Sequence, residues 1–378
     1  MRRLLMVGRT RYTLPLDSSL ARKFDALGQQ LDVRVLAARP AAEGGHDPRF
    51  RLFGPAAPGR LEGAAFWGLL PFRVARELRS WRPDAVLSQG GQETALVLLG
   101  RALSGTSTRV IMDVHGDPGS ATRLYGSRLR RALAPVGDLL TRLAIHRADA
   151  VRTISTYTSD LARTYGVEPA ATFPAFMDLD PFLATPPTAL PDRPVALFVG
   201  VLERYKAIDV LAQAWRLAAP RVPSALLRIV GQGTMSSTVQ ELVAELPDRV
   251  EWIPRLPTAE VVRALDGATV LVLPSRSEGL GRVVIEAFCR GRGVVGSRIG
   301  GIPDLVSDDA TGLLVEPGDP HALADALVRA LIEPGLAPRL GGAARAAVEP
   351  WLATPEEYAR RVRALVEDVT GGAGAERS

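Results

Sequence analysis

Two glutamates with seven residues between them, Glu278 and Glu286, carry the clearest chemistry in this sequence. They lie in Pro274-Ser275-Arg276-Ser277-Glu278-Gly279-Leu280-Gly281-Arg282-Val283-Val284-Ile285-Glu286-Ala287, directly after the apolar run Val270–Leu273. The run reads as a buried strand and Val283–Cys289 as a helix, so the two glycines fall in the turn between them. A glycine-rich turn at a helix start offers unpaired amides and the positive end of the helix dipole, which suits a diphosphate. Eight residues of helix rise about 12 Å. Two ionised carboxylates at such a spacing can accept hydroxyls from both ends of one ligand, a ribose at one end and a sugar beyond the diphosphate at the other. The bland alternative makes Glu278 a helix cap and Glu286 a surface residue. Glu286 is a poor surface residue, because its neighbours are Val283, Val284, Ile285, Ala287 and Phe288, and a buried acid needs a partner.

The elements around this motif set the fold class. The chain has 378 residues, 47% hydrophobic and 23% charged, which fits a globular protein of two domains. Strand-like runs at Leu4–Val7, Asp32–Ala37, Ala85–Ser88, Val110–Val114 and Ala150–Ile154 alternate with helical spacing such as Ser18–Leu27. After a proline-rich stretch, 185–194, strands are expected at 195–199, Leu226–Val230, Val250–Ile253, Val270–Leu273 and Val294–Ser297. Helices are expected at Asp209–Leu217 and Val261–Leu265. The pattern predicts an α/β protein of two Rossmann-like domains, 1–184 and 195–354. Pro355–Val369 reads as a charged amphipathic helix with Tyr358, Val362 and Leu365 on one side. It is expected to cross back to the N-terminal domain as segment 355–370, ahead of a frayed Gly/Ala-rich tail, 371–378.

Charge and cysteine usage narrow the classes. Forty-six Lys plus Arg against 41 Asp plus Glu give +5, compatible with an anionic small molecule, an anionic membrane surface or nucleic acid. Sparse aromatic interleaving gives nucleic acid no support. Arg123, Arg128, Arg130 and Arg131 run into Leu139, Leu140 and Leu143, and either meet anionic lipid head groups or form a solvated helix face. The single Cys289 rules out an internal disulfide and reads as a core residue. No apolar run reaches the length of a membrane helix, so the expected location is the cytoplasm, with peripheral contact at the inner face of the membrane. Asp178-Leu179-Asp180 reads as a turn and not as a metal pair.

From 195 to 330 the sequence resembles the donor half of retaining, GT-B-fold glycosyltransferases of family 4. The resemblance rests on Glu278–Glu286 with Glu-Gly-Leu-Gly inside it, on Ile229-Val230-Gly231-Gln232-Gly233, on Gly200…Lys206…Asp209-Val210-Leu211, and on the run from Val294 through Gly300-Gly301-Ile302-Pro303-Asp304 to Thr311-Gly312-Leu313-Leu314-Val315. It implies two domains facing a central cleft and transfer of a hexosyl group from a nucleoside-diphosphate sugar, without metal or cofactor. The acceptor would be a hydroxyl of a glycan, a lipid-linked molecule or a small molecule. By the same resemblance Glu278 contacts the transferred sugar, Glu286 the ribose, and Gly279, Leu280, Gly281, Arg282 and Val283 the sugar and diphosphate through their backbone. Lys206 neutralises the diphosphate. The arginine that usually follows the glycine is replaced by Val201, and Arg204 is the candidate substitute. In the N-terminal half the resemblance rests on Ile111-Met112-Asp113-Val114-His115-Gly116-Asp117 and implies that His115, at a strand end, serves catalysis; the bland reading is a core histidine. A nucleotide-sugar epimerase of similar build and a non-catalytic glycan-binding relative are the competing functions. A dinucleotide oxidoreductase is disfavoured because no Gly-x-Gly-x-x-Gly follows the first strand.

Overall fold

A computed structural model describes residues 1–39, 45–53, 62–117 and 134–371. The basic cluster from Arg123 to Arg131 and the tail beyond Gly371 lie outside the described residues. The chain divides into two compact units: one holds the described residues up to Phe176 together with those from Ala353, and the other holds Met177–Leu352.

The first unit is a parallel sheet of seven strands: β1 (Arg3–Arg11), β2 (Asp32–Ala38), β3 (Phe50–Phe53), β4 (Ala85–Gln89), β5 (Arg109–Val114), β6 (Ala150–Thr153) and β7 (Ala171–Thr172). Their order is β3-β2-β1-β4-β5-β6-β7. β1 pairs with β2 on one side and β4 on the other, Leu4 opposite Val33 and Ala85, so the winding reverses between β1 and β4. Parallel strands covered on both faces must be apolar throughout, and Leu4, Leu5, Val86, Val110 and Ile111 are fully buried. The helix Pro355–Gly371 closes this unit as expected. Tyr358, Ala359, Val362, Leu365 and Val366 join the core formed by Leu4, Phe24, Leu27 and Ile111.

The second unit repeats the plan with β8 (Val195–Val199), β9 (Leu226–Val230), β10 (Val250–Ile253), β11 (Val270–Leu273), β12 (Gly293–Ser297) and β13 (Gly312–Val315) in the order β10-β9-β8-β11-β12-β13. The winding reverses between β8 and β11. Ligands of open parallel sheets bind beyond the strand ends at such a reversal. The proline-rich stretch before β8 belongs to this unit. Its carbonyls are gathered by two buried arginines: Arg290 donates to the carbonyls of Thr185 and Pro186, and Arg292 to that of Thr188. Cys289 is fully buried beside them, and burial pushes its thiol up to about 11, the behaviour of an inert core residue.

Candidate active site

In the second unit the loops that leave β8 and β11 carry the expected donor residues. After β8 the chain makes a tight 3-10 turn, Arg204–Lys206, closed by the Lys206 amide on the Glu203 carbonyl at 2.9 Å. Ala207 follows in the left-handed region, φ 54°, and turns the chain into the helix Ile208–Ala218. The loop after β11 is clamped to this turn. The Arg276 guanidinium grips both oxygens of Asp209 at 2.7 Å, and its amide donates to the Tyr205 carbonyl at 2.7 Å. Asp209 is held below its ordinary carboxylate range by that bidentate contact.

This clamp brings Lys206 to Glu278. The Lys206 ammonium donates to Glu278 Oε2, with the two side chains only 11% and 15% exposed. The backbone of Glu278 is set from the other side by the loop after β12, where the Gly301 amide donates to the Glu278 carbonyl at 3.0 Å. A Cβ on Gly300, whose φ is +59°, would stand 2.0 Å from that carbonyl oxygen, so only glycine allows the approach. The buried Ser275 hydroxyl, in the loop after β11, has no hydrogen-bond partner among the described residues. An orphaned polar atom at a winding reversal calls for a ligand or ordered water.

Beyond the loop, Gly281 at φ +86° starts the helix Arg282–Cys289. No side chain caps this end, which leaves its first amides without an intrahelical acceptor. Glu286 sits in the second turn, buried as its apolar neighbours require. Burial raises its pKa, and Arg282, one turn earlier with Nε at 2.7 Å from Oε1, offsets part of that rise. Only one Glu286 oxygen is engaged by Arg282 in this pair, and an ionised carboxylate keeps further acceptor capacity for a hydroxyl. Arg282 thus engages Glu286 through its side chain, a contact that sequence spacing did not indicate. Gly279 and Leu280 lie in the same turn, and Val283 in the first helical turn. Arg204 is exposed, and its carbonyl accepts from Arg276.

In the first unit His115 follows β5, the strand next to β4. Its Nε2 lies 2.7 Å from Asp113 Oδ2, and the other Asp113 oxygen accepts from Arg152 at 2.6 Å. Neither Asp113 nor Arg152 was singled out in the sequence. The available signal was a charged residue inside each of two apolar strands, Met112-Asp113-Val114 and Val151-Arg152-Thr153.

Comparisons with known proteins address both halves. Residues 18–174 match the family described as glycosyl transferase 4-like domain, and residues 185–347 match glycosyl transferases group 1. A D-inositol 3-phosphate glycosyltransferase of Thermobifida fusca is 34% identical over 205 residues, 49% of this chain and 47% of that one. A GDP-mannose-dependent alpha-(1-6)-phosphatidylinositol monomannoside mannosyltransferase of Mycolicibacterium smegmatis is 31% identical over 240 residues, 58% of this chain and 63% of that one. The chain thus spans less than two thirds of the length of either relative. Among solved structures, a sucrose-phosphate synthase of Thermosynechococcus elongatus matches with a TM-score of 0.78 at 22% identity, covering 98% of this chain and 100% of that one. HepE of Anabaena, solved with UDP and glucose, matches at 0.70 and 17% identity, covering 97% and 99%. At such identities the likeness is one of fold. The two family matches together take in most of the chain, and with its two Rossmann-like sheets it belongs to the group 1, or family 4, glycosyltransferases of GT-B fold.

Proposed function

We propose that the chain transfers a hexosyl group from a nucleoside-diphosphate sugar to an acceptor hydroxyl, with retention of configuration and without a metal. The observation that carries this reading is the Lys206–Glu278 pair at the winding reversal of the second unit. A donor diphosphate takes Lys206 from Glu278 and settles against the uncapped helix start at Gly281–Val283. Glu278, released from its partner, accepts a hydroxyl of the transferred sugar, and Glu286 accepts from the ribose. The C1–O bond to the diphosphate breaks while C1 bonds the acceptor oxygen on the same face. The acceptor proton passes to the departing phosphate oxygen. Negative charge grows on that phosphate in the transition state, where Lys206 and the helix amides stabilise it most. Arg204 is available to add charge, and His115 is the first unit's proposed catalytic residue.

The relatives' names put a GDP-linked mannose among the first donors to try, and a phosphorylated inositol, free or lipid-linked, among the first acceptors. Peripheral membrane contact is part of the proposal. The helix Ala134–Arg147 exposes Val136, Leu139 and Leu143 beside Arg142 and Arg147, a composition suited to an anionic lipid surface. No helix among the described residues is long and apolar enough to cross a membrane.

The test is nucleotide release from a panel of nucleoside-diphosphate sugars, with and without polyol-phosphate and lipid acceptors. Glu278→Ala is expected to lower acceptor-dependent release about 10²–10³-fold with its thermal midpoint preserved. Full turnover in that variant removes Glu278 from the mechanism. Conversion of the donor with no acceptor present points to an epimerase instead.

A further inference from the structure

The surroundings of His115 specify more than its position. Asp113 is buried at the end of β5, with Oδ2 2.7 Å from His115 Nε2 and Oδ1 2.6 Å from Arg152 Nη1. Arg152 is wholly buried on β6. Its Nη2 donates to the carbonyls of Phe173 and Pro174 at 2.7 and 2.9 Å, and its guanidinium lies 4.1 Å over the Phe173 ring. Among the described residues, Lys23 and Tyr358 also face this pair; the Lys23 ammonium lies over the Phe24 and Tyr358 rings, and Tyr12 faces Lys23 in turn. Burial pushes the Asp113 carboxyl up, but Arg152 and His115 outweigh it and bring the group down to about 2. Asp113 is therefore an anion throughout the neutral range.

An ionised carboxylate only accepts hydrogen bonds. The ring nitrogen that faces it must carry the proton, so a neutral His115 is held with hydrogen on Nε2 and a lone pair on Nδ1. We infer that Asp113 is a positioning residue that fixes this tautomer, and that His115 consequently offers Nδ1 as an acceptor to a substrate hydroxyl. Arg152 is the anchor of the arrangement. It aims Asp113 by holding one carboxylate oxygen and is itself held by two carbonyls. The cost of the arrangement argues that it is kept for more than stability. Arg152 Nε is buried without a partner among the described residues, and apolar side chains of similar volume often replace a buried ion pair without loss. The histidine side chain is 38% exposed, which leaves it open to a ligand.

The catalytic half of this inference rests on the proposed role of His115, and the test separates the two. The full chain is labelled with nitrogen-15 histidine, and ring nitrogen shifts are recorded at alkaline pH, where imidazoles are neutral. There are four histidines, and His115→Gln identifies the relevant signal by its loss. The expected result is an Nε2–H tautomer at His115. An Nδ1–H tautomer, or an even mixture, overturns the inference without touching donor binding at Lys206. Asp113→Asn supplies an amide that can donate to Nε2, and is expected to move the proton to Nδ1. The same variant should lower kcat by about 10- to 100-fold with donor KM little changed. A moved proton with undiminished kcat overturns the claim that the tautomer matters to transfer. Should the variant not fold, the shifts of the unmodified protein decide the positioning claim alone.

Discussion

The two units each hold an acid against a cation near the ends of their central strands, and the pairs are built in opposite ways. Lys206–Glu278 sits between two loops at the edge of solvent, 11% and 15% exposed. Arg152–Asp113 is dry, 0% and 4% exposed, and Arg152 Nη2 donates to two carbonyls. A ligand can reach the first pair and exchange partners with it, whereas the second is committed before any ligand arrives. Arg282–Glu286 is mixed: the acid is buried, while the arginine is 54% exposed and can swing away. In the proposed mechanism the same pair chemistry serves binding where it borders water and positioning where it does not.

The largest expected effect tests the committed pair. Arg152→Met leaves Asp113 buried without its cation, and should lower the unfolding free energy in urea by about 3–5 kcal/mol. Lys206→Met, made at the exchangeable pair, should cost less, about 1–2 kcal/mol, because Glu278 left without its partner can still reach water. Equal losses would erase the distinction. Next comes Gly300→Ala, which places a methyl against the Glu278 carbonyl at a φ unsuited to alanine. A loss of about 1–3 kcal/mol is expected, with a fall in transfer because the Glu278 backbone must move. Unchanged stability and rate would show that the loop after β12 does not set Glu278.

Two titrations give smaller effects. The Asp113 carboxyl is held near 2 against an ordinary 3.8, so its contribution to stability is complete above about pH 3.8 and fades as the pH falls toward 2. That contribution, about 2 kcal/mol, should be missing from the acid limb of the Asp113→Asn unfolding profile. Glu286 is shifted the other way, so it takes up a proton at a higher pH than an exposed glutamate. Its protonation weakens hydroxyl acceptance, and nucleoside-diphosphate affinity should drop a few-fold on mild acidification, by about 1 kcal/mol or less. The Glu286→Gln variant should lose that pH dependence. A profile identical to that of the unmodified chain would remove Glu286 from the ribose.

The sequence makes some of this legible and hides the rest for physical reasons. Apolar runs such as Val270–Leu273 reveal buried parallel strands because both faces must be covered. Glu286 betrays its burial by its neighbours. The loop after β11 is legible since its glycines and acids lie within one short segment. The helix Glu62–Ser80 is not, because Pro71 lies inside it and proline ordinarily ends a helix. The strand Phe50–Phe53 is interrupted by Arg51, which breaks the apolar run, and Ala171–Thr172 is too short to show a pattern. The arginine partners of Asp113 and Asp209 lie 39 and 67 residues away, and the packing that joins them leaves no local spacing to read. The proline-rich stretch before β8 reads as a plain connection because the arginines that hold its carbonyls, Arg290 and Arg292, come about a hundred residues later.

The exchangeable pair is tested most directly by calorimetric titration of GDP and UDP into the unmodified chain, Lys206→Met and Glu278→Ala. If a diphosphate displaces Glu278 from Lys206, the lysine variant loses binding by about 100-fold or more. The glutamate variant, its lysine already free, binds the nucleotide at least as tightly as the unmodified chain while failing to transfer sugar. Unchanged affinity in Lys206→Met, or affinity lost in Glu278→Ala with the fold intact, would contradict the account.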